Sequence, residues 1–345
     1  MRFYYSIIAA LLSTLLLCGA SAQAQKSSGK GAGRGEGVGR GEGKAQGKGK
    51  GSGEGKLSEL TVPTTETVSV WLTTGAGNIT VRGWDRKEVH AQAKEAGTKF
   101  KLCNESAAAS ASNPAAHVEI SLSSGESDES DSDEADSPVL LDVPRGAIVF
   151  LKSQEGDLDV EGVTEVHIEA VGGRVDMRRV ARAIEVTSIG GDVTLEDSSG
   201  RARLNTIGGS IEVKDLRSVD ASDFLKAKTA SGDILLDRVA TSRIEANTIS
   251  GVIKLEGALA HNGFYNFSTT SGDMTLVIPS DSSFRLTARV SEGGEIVTEF
   301  PLKYTGAASP TSHTVHLGRM VGTYGSGDAN INLISFSGTL RLRKK

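Results

Sequence analysis

Apolar side chains alternate with polar ones after a series of regularly spaced glycines. The residues two and four positions after each glycine are apolar, as in Val193 and Leu195 or Ile211 and Val213, with Thr298 as the exception. The residues between them are mostly charged or polar. A period of two is typical of a β-strand with one buried face. We call these residues the anchor glycines: Gly77, Gly156, Gly173, Gly191, Gly209, Gly232, Gly251, Gly272, Gly294 and Gly338.

A second strand precedes the anchors. Ahead of Gly209, for example, Ala202 and Leu204 alternate with polar residues, and Thr206 stands three positions before the glycine. Each unit is therefore predicted to be a strand, a glycine corner at positive φ and another strand. The small Thr or Ser should point inward, where its hydroxyl can bond backbone groups at the bend. Near Gly294 the upstream strand fits only when shifted by one residue, which predicts a β-bulge or an altered corner.

The spacing of the anchors indicates a repeat architecture. Successive anchors from Gly156 to Gly294 lie 17 to 23 residues apart, a range typical of solenoid coils. Coils of this size bury their apolar face only by stacking on their neighbours. The sequence therefore predicts an all-β fold, a β-solenoid resembling a parallel β-helix, of about ten coils and roughly 50 Å in length. Segments 138–160 and 274–297 are predicted to be strand-turn-strand insertions that link coils.

The first 24 residues have the features of an export signal. An apolar run over residues 7–17 follows Arg2 and precedes small residues in an Ala-x-Ala pattern. The run is shorter than the ~20 residues that span a bilayer, so we expect a cleaved signal peptide and a periplasmic or extracellular protein. Lipidation at Cys18 is disfavoured because the bulky Leu17 precedes it. Cleavage after Cys18 would leave Cys103 without an intramolecular disulfide partner.

Two segments have compositions that cannot form a core. Residues 25–56 are predicted to be a flexible Gly/Lys-rich linker; positions 26–56 carry eight basic and three acidic residues, a net charge of +5. This linker is either a basic tether to anionic envelope polymers or a membrane surface, or a plain spacer, and it lacks the interleaved aromatics of a nucleic-acid binder. Residues 124–137 hold seven acids from Glu126 to Asp136 and are expected to be a disordered loop. The solenoid domain spans 57–345.

Four anchors are followed by an aspartate. Stacked carboxylates could hold calcium, or act as acid and base on a polysaccharide. Other coils place Arg174 or Val252 at the same position, which a column of metal ligands would not tolerate. We therefore predict that these aspartates stabilise turns. They are Asp157, Asp192, Asp233 and Asp273.

The histidines and aromatic residues give no convergent site. His313 and His316 are three apart, which places them on opposite faces of a strand, and the others are isolated: His90, His117, His167 and His261. Phe264, Tyr265 and Phe267 could form a sugar-binding platform, but the inward spacing of the last two favours the core. The sequence predicts no catalytic, cofactor-binding or metal-binding residues and no cofactor.

The repeats EGDLDV, GGDVTL, SGDILL and SGDMTL, together with DVPRG, resemble a family of bacterial proteins called DUF4097. The resemblance covers about residues 60 to 345. It implies a β-solenoid and a role in surface adhesion, without defining a ligand. The linker and the acidic segment do not belong to its pattern.

These observations predict an exported, non-catalytic β-solenoid that acts as an adhesin-like or envelope-associated binding or scaffold module. Its expected partners are cell-surface glycans or anionic envelope polymers, and not nucleic acid. One alternative is a polysaccharide lyase or hydrolase, which would need carboxylate, Lys or Arg side chains converging on one face. Another is a scaffold that assembles end to end through its terminal coils. The charged sequence LRLRKK argues against the latter, because charges blunt an open strand edge.

Overall fold

The computed structural model describes residues 58–93, 99–102, 109–123, 137–304 and 314–345. Within these ranges the chain forms strands and no helix. Residues 55–345 make one compact unit. The strands are β1 (Ser58–Thr74), β2 (Ile79–Trp84), β3 (Glu88–Ala93), β4 (Lys99–Leu102), β5 (Ala115–Ser123), β6 (Val139–Pro144), β7 (Ile148–Ser153), β8 (Leu158–Glu161), β9 (Glu165–Ala170), β10 (Val175–Arg178), β11 (Ala183–Ser188), β12 (Val193–Glu196), β13 (Arg201–Asn205), β14 (Ile211–Lys214), β15 (Leu225–Lys228), β16 (Ile234–Asp237), β17 (Arg243–Ser250), β18 (Ile253–Glu256), β19 (Phe264–Ser271), β20 (Met274–Ile278), β21 (Phe284–Thr298), β22 (Lys303–Tyr304), β23 (Thr314–Tyr324), β24 (Ala329–Ser337) and β25 (Thr339–Lys344).

The strands that precede the anchors stack in parallel as one ladder. In spatial order it contains β5, β1, β7, β9, β11, β13, β15, β17, β19, β24 and β21. The strands that follow the anchors form a second parallel ladder of β6, β2, β8, β10, β12, β14, β16, β18, β20, β25 and the last part of β21. The predicted β-solenoid is therefore confirmed.

The core lies between the two ladders. Matched inward positions form columns of buried side chains, such as Val193, Ile211 and Ile234 in neighbouring coils. The predicted face assignment is confirmed, because Leu204 is fully buried and Leu235 is exposed. Thr298, the polar exception, is also buried. Because neighbouring coils stack with their inward positions in register, each coil buries the apolar face of the next.

The corner glycines are required chiefly by close stacking. A Cβ atom on Gly209 would lie 2.0 Å from the carbonyl oxygen of Gly191, and one on Gly191 would lie 1.6 Å from that of Gly173. The predicted positive φ occurs at several anchors, for example +95° at Gly77. It was wrong for Gly209, whose φ lies outside the left-handed region. There, the backbone of the preceding coil leaves no room for a side chain.

A second corner follows the second ladder, and the sequence pattern did not reveal it. Six residues after successive anchors the backbone turns left-handed without glycine, at Arg179, Asp197, Asp215 and Arg238, with φ between 47° and 54°. One residue later an inward side chain closes a third side of the coil, as Leu216 and Val239 do. Ordinary side chains accept this conformation at a modest cost, so the corner does not require glycine, although Gly162 and Gly257 occupy it in two other coils.

The coils at the C-terminal end do not stack in sequence order. β24 and β25 insert between the coil of β19 and β20 and the coil of β21. Accordingly, Gly338 packs on Gly272, and Gly294 packs on Gly338. The argument from LRLRKK was therefore wrong, because β25 is paired on both sides and does not form an open edge.

Antiparallel strands lie at both ends of the stack. β3 pairs antiparallel with β1 and β6, and β4 with β5, at one end. β23 pairs antiparallel with β21, and β22 with β23, at the other. The β21–β23 register shifts between Val290 and Glu295, which confirms the bulge predicted near Gly294.

Segments 138–160 and 274–297 are strand-turn-strand units, as predicted, but they belong to the stack. β6 belongs to the second ladder and β7 to the first. Likewise, β20 belongs to the second ladder and β21 pairs within the first. The signal peptide, the linker, residues 124–136, Cys18 and Cys103 all lie outside the described residues, so the expectations for them stay predictions.

Candidate functional site

An exposed row of apolar side chains runs along the glycine corner. It occupies the positions two residues before successive anchors, where hydrogen bonds between coils, such as that from the Gly208 N–H to the Ile189 carbonyl, keep the residues in register. The exposed fractions are 42% for Val171, 37% for Ile189, 52% for Ile207, 49% for Ile249 and 49% for Phe336. The half-buried Ala230 and the exposed but polar Thr270 occupy the same position in two further coils. We call these seven residues the apolar stripe.

The apolar stripe crosses seven neighbouring coils. Its seven positions lie in adjacent coils, so at the ~4.8 Å spacing of neighbouring strands it extends about 30 Å. Isolated exposed hydrophobics are ordinary on protein surfaces, whereas a contiguous row of them marks an interaction site. The sequence analysis missed this row, although its signal was present in the recurring Val or Ile before Gly-Gly.

The surface between the apolar stripe and the anchor glycines carries only small residues. Gly172, Gly190 and Gly208 occupy it in three consecutive coils, and the later coils place Ser there. A Cβ atom on Gly208 would meet nothing closer than 3.5 Å, and its φ is not left-handed. The fold therefore does not require glycine at Gly208, and it has less room at Gly190, whose Cβ would lie 3.3 Å from the Val171 oxygen. The consequence of glycine there is a flat strip of backbone beside the apolar stripe.

The predicted aspartate row lies on the other side of the same corner. Asp192 Oδ1 accepts a hydrogen bond of 2.7 Å from the Ser210 N–H, and Asp233 Oδ1 accepts one of 2.8 Å from the Val252 N–H. Asp157 does the same for the Arg174 N–H at 2.8 Å. Each carboxylate thus binds the backbone of the next coil, so these aspartates join neighbouring corners instead of stabilising their own turns as the sequence had predicted. Asn78 and Ser210 accept equivalent bonds and were missed.

Asp273 completes this row near the C-terminal end. Its carboxylate accepts hydrogen bonds from the Thr339 N–H at 2.8 Å and from Arg341 Nη1 at 2.7 Å. Partial burial raises the pKa of Asp273, but these two hydrogen bonds outweigh burial and leave the pKa below its ordinary value. The carboxylate therefore stays ionised at neutral pH.

Hydroxyl groups reinforce the corner from inside. Thr229 Oγ1 donates to the Gly209 carbonyl at 2.9 Å, and Thr206 and Thr248 donate to the corresponding carbonyls of Gly191 and Gly232 at 3.2 Å. These bonds confirm the predicted role of the small polar residue three positions before the anchor. They also hold the strip beside the apolar stripe in a fixed geometry.

The histidines whose side chains are described each contact a different neighbour. His90 contacts Thr61 Oγ1 at 2.9 Å, and His261 lies 3.7 Å from Asp328. His167 stacks on Phe150, with ring centroids 4.6 Å apart, and lies 3.6 Å from Glu185.

His117 lies 6.3 Å from Trp71 between ring centroids. His313 and the side chain of His316 fall outside the described residues. Among the residues that are described, no group of three or more His, Cys, Asp or Glu could hold a metal ion.

The predicted aromatic trio divides as its spacing indicated. Tyr265 and Phe267 are buried in the core, whereas Phe264 is exposed beneath Arg243. Burial raises the pKa of Tyr265, whose hydroxyl oxygen accepts a hydrogen bond from the Ala260 N–H.

A different aromatic stack, which the sequence analysis missed, lies on the outer face of the first ladder. Trp71 stacks on Phe150 with centroids 4.1 Å apart, and Phe150 stacks on His167. Phe150 is therefore covered by a ring on each face, whereas Trp71 remains 44% exposed.

Charged side chains on the outer faces pair between coils. Arg238 donates two hydrogen bonds to Asp215, at 2.8 and 2.7 Å, and these hold the pKa of Asp215 below its usual value. Glu245 lies 3.4 Å from Lys226 and 3.8 Å from Lys228. Burial raises the pKa of Glu245, but the two lysines outweigh it, and the net change is downward. Such rows tie coils together.

The fold and the stacked corner define an all-β solenoid whose outer surface carries continuous rows of like residues. A family model described as Toastrack DUF4097 matches residues 57–343, and the chain belongs to that family. The resemblance drawn from the repeats is thereby confirmed. The part of the chain that the structure describes contains no helix of the length and apolarity that a membrane span needs.

Three solved structures are similar to this chain at low identity. A proposed cell adhesion protein from Clostridium sporogenes is 10% identical with a TM-score of 0.20, covering 84% of this chain and 100% of that one. A proposed adhesin from Bacteroides fragilis is 15% identical, with a TM-score of 0.39 and coverages of 83% and 97%. A third, from Parabacteroides distasonis, is 12% identical, with a TM-score of 0.28 and coverages of 84% and 98%. No curated protein matches the sequence.

Proposed function

We propose that this protein is an exported, non-catalytic binding module that holds a glycan strand along the apolar stripe. The observation that carries the proposal is the row of exposed apolar side chains beside a flat strip of backbone. Residues such as Ile207 and Ile249 point into solvent at positions where the fold tolerates Gln, as Gln154 does in an earlier coil. Their apolar character therefore needs a partner to explain it.

The polar atoms around the apolar stripe favour a glycan over a polyanion. Sugar rings present apolar C–H faces and donate hydrogen bonds from their hydroxyls. Asp192 and Asp233 each use one carboxylate oxygen for the next coil, and the second oxygen has no hydrogen-bond partner within the described residues. These oxygens can accept bonds from hydroxyls, and their negative charge would repel an anionic polymer at this edge.

The ionisation of the carboxyl groups supports a binding role over hydrolysis. A general acid that acts near neutral pH needs a raised pKa. Among the described residues, the carboxyls with a shifted pKa all move downward: Asp215, Glu245, Glu256 and Asp273. For Glu256 the largest cause is a hydrogen bond from Lys345. These groups suit ion pairs better than proton transfer.

The N-terminal sequence supports export. Residues 1–24 have the pattern of a cleaved signal, and the basic linker over 25–56 suits peripheral contact with an anionic membrane surface or envelope polymer. The solenoid and the linker would then serve different contacts. A cell-fractionation experiment with a chain lacking residues 26–56 tests this arrangement. The deletion should release protein from the envelope fraction into the soluble exported fraction.

A glycan array with the full chain tests the proposed function. Ile207→Asp and Ile249→Asp should each abolish binding to whichever glycans the wild type retains, because each substitution places a solvated charge in the apolar stripe. Leu235→Asp is the matched control, since Leu235 is an exposed apolar residue on the outer face of the second ladder. It should leave binding unchanged.

The same array distinguishes the proposal from its rivals. Unchanged glycan binding by both stripe variants would contradict the proposed location of the site. Release of shortened glycan products by the wild type would contradict the non-catalytic role. Deletion of residues 26–56 should leave array binding unchanged, so a loss of binding on deletion would place the contact in the linker.

A further inference from the structure

An open cleft lies at the C-terminal end of the stack, next to the bulge in β21. It has a volume of about 650 Å³ and is lined by Arg289, Val290, Ser291, Gly318 and Arg319. The bulge creates it, because residues 291–294 have no paired residue on β23, β24 or β25. Backbone N–H groups without a strand partner can donate hydrogen bonds to an anion.

Two arginines face each other across this cleft. Arg289 and Arg319 are directly opposite in the antiparallel β21–β23 register, and both are exposed. Side chains at such positions have Cβ atoms about 4.5–5.5 Å apart, and like charges placed there destabilise the pair. A bound anion would convert this repulsion into attraction.

Neither arginine has a carboxylate partner among the described residues. Elsewhere on the same outer face, several basic side chains are matched between neighbouring strands, as Arg203 is with Glu185 at 3.3 Å and Lys226 is with Glu245. Arg285 also has no carboxylate partner among the described residues, but the Arg289–Arg319 pair differs from it in setting two arginines opposite each other beside a cleft. The combination therefore resembles a site for a ligand more than a structural ion-pair row.

We propose that this cleft binds the phosphate group of a phosphorylated sugar. The guanidinium forks of Arg289 and Arg319 each hold phosphate oxygens, and the Ser291 hydroxyl donates a further hydrogen bond. A phosphate monoester carries close to two negative charges at neutral pH, which matches two guanidiniums, whereas a carboxylate carries one.

The residues of the neighbouring strand β24 indicate which kind of molecule bears the phosphate. On β24, Ile334 is paired with Arg289, and both are exposed. Phe336 follows two residues later as the terminal member of the apolar stripe. The apolar stripe thus ends beside the two arginines. The phosphate site deepens the proposed function, and it rests on that function only in taking the carrier to be a sugar.

Two negative side chains lie close to the site in sequence, Glu292 and the half-buried Glu295. Glu292 is an exposed residue of the bulge, and its charge opposes an incoming anion. Glu292→Gln should therefore bind phosphate at least as tightly as the wild type. A marked loss of phosphate binding in this variant would contradict the proposal, because the glutamate has no role in holding an anion.

Calorimetric titration of the full chain with inorganic phosphate tests the site. Wild-type protein should bind phosphate at one site and bind acetate at least tenfold more weakly. Arg289→Gln and Arg319→Gln should each weaken phosphate binding at least tenfold. Arg285→Gln is the matched control, because Arg285 lies on the same strand but faces Thr323 instead of an arginine. It should change the affinity less than twofold.

The arginine variants should fold, because each removes a like-charge repulsion. Their melting temperatures without phosphate should equal or exceed that of the wild type, while phosphate should raise the melting temperature of the wild type alone. Absence of phosphate binding by the wild type, equal affinity for acetate, or equal affinity in the arginine variants would overturn the proposal. Ile207→Asp should retain phosphate binding, so failure of the glycan proposal and failure of this one are distinguishable.

Discussion

Replacing Gly209 by alanine should place a methyl group inside the backbone of the neighbouring coil. The added Cβ would lie 2.0 Å from the Gly191 oxygen, 2.4 Å from the Gly191 carbonyl carbon and 2.8 Å from the Asp192 nitrogen. Non-bonded carbon atoms pack best at ~3.5–4.0 Å. The coils would have to separate locally by more than 1 Å, at the cost of the hydrogen bonds between them. Because backbone cannot rotate away, we expect a loss of ~3 kcal/mol or more, at the upper end for overpacking.

Gly208→Ala supplies a control one residue away. Its Cβ would meet the Ile189 oxygen at 3.5 Å and the Gly190 Cα at 3.8 Å, which are ordinary contacts. Since alanine also restricts the unfolded chain, this variant should be neutral or slightly stabilising, by up to ~1 kcal/mol. Urea denaturation measures both free energies, and hydrogen exchange should show the Gly209 damage in the coils of Gly191 and Gly232 before that of Gly77. Equal free energies for the two variants would refute the close-approach argument.

Three further predictions concern the core, the corner hydroxyls and acid stability. Leu204→Ala should cost ~2–5 kcal/mol in chemical denaturation and Leu235→Ala much less, because only the first side chain is buried; equal losses would contradict the register. Thr229→Val should lower the free energy of unfolding by ~1–2 kcal/mol, because it removes the hydrogen bond to the Gly209 carbonyl. Thr269→Val should be neutral or stabilising, since Thr269 Oγ1 has no hydrogen-bond partner among the described residues. A larger loss for Thr269→Val than for Thr229→Val would contradict the stabilising role of the Thr229 hydroxyl. The pKa of Asp273 is lowered in the folded state, so its contribution to folding stability is present above the unfolded-state pKa of ~3.9 and is lost as pH falls through the lower folded-state pKa. Asp273→Asn should therefore flatten the fall in melting temperature between pH 5 and pH 2. Parallel melting-temperature profiles for wild type and variant would contradict this prediction.

Most of the coil could be predicted from local alternation. A strand with one buried face must alternate with period two, so the inward positions of Leu204 and Val193 follow from the sequence alone. The bulge before Gly294 followed from a one-residue shift in the same pattern. The role of Thr206 at the corner followed from side-chain hydrogen-bonding chemistry.

The order of the coils could not be predicted, because every coil presents the same edge pattern to its neighbours. Nothing local to β24 indicates that it stacks on β19 instead of following β21. The left-handed corner at Asp215 was equally hidden, since no glycine marks it. The Arg289–Arg319 pair depends on the antiparallel return of β23, which is a long-range property.

The neighbouring Gly208 and Gly209 differ in whether the fold requires a glycine. Gly209 is fixed by the Gly191 backbone, so any chain that stacks coils at this corner must have glycine or move apart. Gly208 has room for a side chain, and the exposed Ile207 gains nothing from burial. Selection for folding alone would allow a polar residue at the position of Ile207 and a side chain at the position of Gly208. An apolar residue followed by glycine recurs in three consecutive coils, and at Ile207 and Gly208 folding requires neither, which supports the proposed binding role of this surface.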